Sequence, residues 1–157
     1  MCIRDRGGAV NVPGNITEHA EFNIYCDPEA ANEVLSSGLD IKLCGLDITR
    51  DTSIKREETE WLKGDSPGER LIRELLDIVF RKLTDRNYFS LHDPIAVLSV
   101  LHPELIQWKT SKVSVVCDGE NVGKTNDLDE PNGSVAIGID IDIDAAKAKI
   151  SEILEQK

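Results

Sequence analysis

Gly14-Asn15-Ile16-Thr17-Glu18-His19-Ala20-Glu21-Phe22-Asn23-Ile24-Tyr25-Cys26-Asp27-Pro28-Glu29-Ala30-Ala31 is the densest packet of chemistry in the chain. Its amino-terminal part holds two amides, Asn15 and Asn23, and a carboxylate, Glu21, among apolar neighbours. Such groups suit the recognition of hydroxyls, because together they supply donors and acceptors in fixed geometry. Asp27-Pro28-Glu29 then opens a helix. Proline is accepted in a first helical turn, and Ala30, Ala31, Val34 and Leu35 follow at helical spacing to a stop at Ser36-Ser37-Gly38. Ile41 to Leu46 reads as a short buried strand, and Gly7-Gly8-Ala9-Val10 reads as the end of an earlier one. Strand, helix and strand in that order predict an α/β layer built on parallel strands.

Further along, Asp47 to Thr52 reads as a polar turn in which Asp51 or Thr52 caps the next helical piece. That piece, Ile54 to Lys63, is charged and is broken by a loop at Gly64-Asp65-Ser66-Pro67-Gly68. Leu71, Ile72, Leu75, Leu76, Val79, Phe80 and Leu83 recur at the spacing that buries one helix face. Asp93-Pro94 opens another helix, apolar nearly all round and expected to be buried on several sides, which ends at His102-Pro103. Lys112 to Cys117 reads as a strand, with turns at Asp118-Gly119 and Asp129 to Gly133 that suggest a hairpin-like edge. From Ser134 to Ile143, isoleucines alternate with Gly138, Asp140 and Asp142, the pattern of a strand with one wet face. Aspartates in a row along a strand do not surround a calcium ion, which wants six to eight oxygens. Ala145 to Gln156 closes the chain as a helix.

The chain has 157 residues and a formal net charge of −11. That length suits one ordinary domain with a sizeable core. The acidity, with Lys and Arg scattered, argues against nucleic acid as a partner. The apolar runs are too short to cross a bilayer and the amino terminus lacks a signal-peptide core, which predicts a cytoplasmic protein without a membrane partner. Cys2, Cys26, Cys44 and Cys117 are too widely spaced for a zinc motif or a disulfide framework. The three in apolar segments are expected to be buried free thiols.

Several separated motifs stand together in one order: Gly7-Gly8-Ala9, Gly14-Asn15-Ile16-Thr17, Ala20-Glu21-Phe22-Asn23-Ile24, Asp27-Pro28-Glu29-Ala30-Ala31, Gly45-Leu46-Asp47 after a strand, and His92-Asp93-Pro94 at a helix start. Gly123-Lys124-Thr125 is a weaker member of the set. Taken singly, Asn15 is a turn residue, Glu21 and Asn23 are polar loop positions, and Asp93 is a helix cap. Taken together, the chain resembles the carboxy-terminal half of the inosine-uridine preferring nucleoside hydrolases. The resemblance implies an open, mainly parallel α/β sheet flanked by helices, present as a partial domain lacking its amino-terminal strands. Residues 7–157 carry the likeness, whereas residues 1–6 are a leader that does not match. Arg6 stands where the family tends to have an apolar residue, and Glu18 where proline is common.

The resemblance further implies hydrolysis of the N-glycosidic bond of ribonucleosides to free base and ribose, with calcium as cofactor and a homo-oligomer when full length. Residue by residue, it puts Asn15, Glu21 and Asn23 on the ribose hydroxyls and Phe22 in the base pocket. It puts Asp93 on the metal and His92 beside the leaving base as a catalytic proton donor. Tyr88, shortly before His92, is a weaker candidate for substrate contact. The family's aspartate-rich loop, with most metal ligands and the general base, is absent from this sequence. The isolated chain is therefore expected to be inactive and to expose an apolar sheet edge or face. A non-catalytic ribose- or nucleoside-binding module is the alternative.

Overall fold

The structure, a computed structural model, describes residues 2–61, 64–82 and 87–155. Its strands are β1 (Cys2–Asp5), β2 (Asp40–Leu43), β3 (Ser53–Lys55), β4 (Tyr88–Ser90), β5 (Ile106–Ser111), β6 (Val113–Val115), β7 (Thr125–Asp127) and β8 (Val135–Ile141). Its α-helices are α1 (Phe22–Cys26), α2 (Pro28–Leu35), α3 (Leu46–Thr49), α4 (Pro67–Lys82), α5 (His92–Leu101) and α6 (Ile143–Glu155). The main sheet runs β1-β2-β8-β5, with β1, β2 and β8 parallel and β5 antiparallel to β8. This is the mainly parallel α/β layer expected from the sequence. Two small antiparallel pairs, β3 with β4 and β6 with β7, stand apart from it, the second being the expected hairpin-like edge.

The alternation of β2 decides how the sheet is covered. Ile41 and Leu43 are fully buried with Val135, Ile137, Ile24, Leu35, Val113 and Val115 in one apolar cluster. Each such side chain contributes about 1.5–3 kcal/mol relative to exposure. A second cluster gathers Cys44, Ile48, Ile95, Leu98, Ile106 and Ala146, from α3, α5, α6 and β5. α2 takes its predicted course, with the Asp27 carboxylate accepting from Ala30 N at 3.0 Å as its cap. α4 lies where the apolar spacing puts it, and α6 is the expected closing helix. Met1, Leu83, and the ends expected at Lys63 and Gln156 lie outside the described residues.

Several expectations are corrected. The first strand is Cys2–Asp5, inside the supposed leader, and Gly7 to Val10 is the loop after it. Gly8 needs the left-handed backbone, φ +85°, which a strand does not use. Strand β2 stops at Leu43, and the first half of the polar turn placed at Asp47 to Thr52 belongs to α3, whose Leu46 and Ile48 are buried. Thr52 caps no helix after it; its hydroxyl donates to Ile48 O at 2.9 Å. The helical piece placed from Ile54 begins as β3 and continues as a 3-10 turn, Arg56–Trp61. Ile106–Ser111, passed over in the sequence, is β5, the strand that closes the sheet.

The alternation in β8 breaks at a bulge. Gln107 pairs with Asp140 and Trp108 with Gly138, so Ile139 is the extra residue and faces solvent, while Gly138 is buried. α5 is half as covered as its composition suggests: Ile95, Leu98 and Ser99 are buried, but Val97, Val100 and Leu101 are exposed. Val97 and Leu101, with Leu75, Ile72 and Ile153, line an apolar groove of about 560 Å³ between α4, α5 and α6, on helices and not on the sheet edge or face expected from the sequence. Cys44 is buried and Cys117 half-buried, but Cys26 is exposed, against its assignment as a buried thiol; all four are free. No helix of the described residues is long and apolar enough to cross a membrane.

Candidate functional site

Parallel strands deliver their chain ends to one side of a sheet, where ligands bind in such folds. Here β1 runs into Arg6-Gly7-Gly8 and β2 into Cys44-Gly45, and the two loops lie against each other. Cys44 N donates to Asp5 O at 2.8 Å and Leu46 N to Gly8 O at 2.8 Å. A Cβ on Gly45 would come within 2.9 Å of Gly8 O, so only glycine permits this approach. The Asp47 carboxylate, at the start of α3, ties the same loop down by accepting from Val10 N at 3.0 Å and Asn11 N at 2.7 Å.

The stretch Gly14 to Asn23 is folded onto this platform. Asn15 N donates to Ala20 O, and Thr17 Oγ1 accepts from Ala20 N, closing a tight loop that Arg50 clasps through the carbonyls of Pro13 and Gly14. The loop ends at Glu21, which is 1% exposed. Glu21 is the cap of α1 as well as the first residue of the candidate site. Its Oε2 accepts from Asn23 N at 2.9 Å, Ile24 N at 3.3 Å and Gly8 N at 3.3 Å. Its Oε1 accepts from Arg6 Nη1 at 3.1 Å. A buried carboxylate demands such partners, since desolvation without them is costly.

The two amides each spend one end on the scaffold. Asn15 Oδ1 accepts from Phe22 N at 2.8 Å, and Asn23 Nδ2 donates to Arg6 O at 3.2 Å. Asn15 Nδ2 and Asn23 Oδ1 carry no hydrogen bond to another described residue in this network. They are, respectively, a donor and an acceptor, and Glu21 Oε1 retains acceptor capacity beside Arg6. Phe22 lies on α1 and is 52% exposed, a ring face open to solvent next to these groups.

The second packet arrives from α5. Arg6 Nε and Asp93 Oδ1 stand 3.0 Å apart as an ion pair, so a single guanidinium joins Glu21 and Asp93. His92, half-buried, sits against α3 with Nδ1 2.9 Å from Thr49 Oγ1. The Thr49 hydroxyl gives its proton to Gly45 O at 3.0 Å. Thr49 therefore accepts from His92, Nδ1 carries the proton, and Nε2 presents a lone pair. Burial, then the neighbouring Arg6, holds the His92 pKa below the usual histidine range, against an opposing pull from Asp93. Neutral in this tautomer, His92 is a proton acceptor at Nε2 and can donate only after taking up a proton. Tyr88 lies on β4, paired with Lys55 of β3.

Asn15, Glu21, Phe22 and Asn23 thus share one loop and helix start, and Arg6 connects them to His92-Asp93. Arg6 and Thr49 were missed in the sequence. Arg6 fell in the leader, and Thr49 carries no motif until the fold sets it under His92. Among the described residues no group of three His, Cys, Asp or Glu side chains gathers as a metal site. Asp93 meets a guanidinium, not further oxygens, so the residues present do not fit a calcium ion, and the apolar pocket between α4, α5 and α6 is a different place.

Comparison with known proteins finds relatives over most of the chain. A family model described as inosine-uridine preferring nucleoside hydrolase matches residues 6–148. Among curated proteins, the pyrimidine-specific ribonucleoside hydrolase RihA of Salmonella newport (strain SL254) is 36% identical, over 85% of this chain and 47% of that protein. Among solved structures, a purine-preferring ribonucleoside hydrolase from Gardnerella vaginalis superposes with a TM-score of 0.85 at 23% identity, over 95% of this chain and 50% of that one. A plant nucleoside hydrolase gives a TM-score of 0.83 at 28% identity, over 96% and 52%. The chain spans about half the length of the relatives it matches.

Proposed function

The chain belongs to the inosine-uridine preferring nucleoside hydrolase family, and on that premise we propose that it forms the ribose-gripping wall of a ribonucleoside hydrolase site. The observation that carries this reading is the convergence, at the carboxyl ends of β1 and β2, of the Asn15–Asn23 loop with the start of α5, joined by Arg6. Asn15 Nδ2 donates to a sugar hydroxyl, while Asn23 Oδ1 and Glu21 Oε1 accept from its neighbours. Vicinal hydroxyls offer both functions, so this donor and acceptor set fits a ribose edge. Phe22 offers its ring to the base.

Cleavage of an N-glycosidic bond passes through a sugar with oxocarbenium character, which requires a gripped ribose, an activated water and a leaving base that accepts a proton. This chain supplies the grip. His92, with Nε2 unprotonated at neutral pH, relays a proton to the base only after receiving one. We assign no step to calcium, because Asp93 stands alone among the described carboxylates at the place proposed for it. The substrate of the whole protein is a ribonucleoside, and the chain alone binds without turnover.

Calorimetric titration of ribose and uridine into the 157-residue chain, run beside a reducing-sugar assay, tests this. Weak binding that is lost in Glu21→Gln, with no sugar released, is expected. Calcium-dependent release of ribose would refute the inactivity, and absence of any binding would refute the grip. The structural role of Glu21 as cap of α1 also favours a second reading, a non-catalytic ribose-binding module. Supplying the amino-terminal half of a relative in trans separates the two, since a pure binding module gains no hydrolysis from it.

A further inference from the structure

Arg6 stands in the segment set aside as a leader, yet it holds both carboxylates of the site. Its Nη1 donates to Glu21 at 3.1 Å and its Nε is ion-paired with Asp93 at 3.0 Å, while Asn23 Nδ2 donates to its backbone carbonyl. A guanidinium is planar and permanently charged, so it serves two carboxylates at once without exchanging a proton. Glu21 is buried and needs a counter-charge; Asp93, with its side chain 87% exposed, does not need one for burial. Its pairing is therefore a consequence of where Arg6 is anchored by Glu21, at the end of β1. A hard divalent cation seeks several oxygen ligands in one place. At Asp93 it meets a fixed positive charge first.

We propose that Arg6 is a tethered counter-cation, which links Glu21 to Asp93 and competes with soluble divalent cations for the Asp93 carboxylate. This rests on the reading of Glu21 and Asp93 as the sugar-side and metal-side carboxylates of one site. The contact is self-blocking: the residue that makes the buried wall stable also occupies the carboxylate a metal would use. Because Asp93 is exposed, its share of the bridge is weak and open to competition at high cation concentration, whereas the Glu21 share persists.

The full chain, labelled with carboxylate ¹³C on aspartate and glutamate, is titrated with calcium chloride at constant ionic strength and the Asp93 resonance is followed. Arg6→Ala is expected to respond at a calcium concentration roughly two- to fivefold below that needed for the wild type. Arg6→Lys, which keeps the charge but not the planar two-nitrogen reach, is expected to respond between the wild type and Arg6→Ala. Arg6→Gln gives the same readout as Arg6→Ala should the latter fold poorly. Equal responses in all the chains, or none in any, would overturn the proposal, since Arg6 would then not be what controls access. No nucleoside enters this measurement, so failure of ribose or uridine binding counts against the functional reading alone.

Discussion

Replacing Glu21 by glutamine removes one charge and almost no volume, and its two oxygens determine the consequence. Oε2 accepts from the N–H groups of Asn23, Ile24 and Gly8, and a glutamine carbonyl can keep those bonds. The other end becomes an NH2 group facing the Arg6 guanidinium, donor against donor. The loss is one charge-assisted bond and the counter-charge of a partly covered arginine. A charge-assisted hydrogen bond contributes about 1.5–3 kcal/mol, and breaking a fully buried pair costs about 3–5 kcal/mol. The Arg6 side chain is 26% exposed, so water takes up part of the cost and about 2–3 kcal/mol is expected. In a chain of this size each kcal/mol moves the melting temperature about 2–4 °C, so calorimetry should show a fall of roughly 4–12 °C. Urea unfolding followed by circular dichroism gives the free energy, and combining Glu21→Gln with Arg6→Met should cost less than the sum of the two. A Glu21→Gln chain within about 0.5 kcal/mol of wild type, a change ordinary for a surface site, would refute the ion pair as a stabilising element.

Three further outcomes are expected. The His92 pKa is lowered in the fold, so its contribution to stability is complete above about pH 6.5 and is lost as pH falls through the range where the unfolded imidazole protonates. Urea unfolding at several pH values should therefore show a steeper acid decline in the wild type than in His92→Asn, and equal slopes would contradict the assigned direction. Gly14→Ala places a methyl group into the backbone of Ala20, so the loop must open and stability should fall by more than about 1 kcal/mol in thermal melts. Timed alkylation should modify Cys2 and Cys26 quickly in the native chain and Cys44 only on unfolding, because burial shields the Cys44 thiol and raises its pKa.

The fold was legible where local chemistry and tertiary packing agree. α2 shows its Asp27 cap, its proline and its apolar stripe in sequence, and α4 shows its apolar spacing. It was illegible where long-range pairing decides. Cys2–Asp5 has little strand character of its own and becomes β1 because β2 lies beside it, while the Ile139 bulge depends on the register with β5. α5 looked buried because composition does not say how much neighbouring structure is present to cover Val97 and Val100. The site residues Asn15, Glu21, Asn23, His92 and Asp93 came from motif order, which says nothing of what links them. Arg6 and Thr49 act through distance alone, and neither the Arg6 bridge nor the tautomer of His92 can be read before the chain is folded.

The claim that the Gly14–Asn23 loop and the start of α5 form one nucleoside-facing surface is tested most directly by titrating uridine into the ¹⁵N-labelled chain. Concerted shifts of the Asn15 and Asn23 side-chain amides, the Arg6 Nε–H and the His92 ring are predicted, with one common saturation curve and no ribose released. Shifts confined to the groove between α4, α5 and α6, or to one packet without the other, would contradict it.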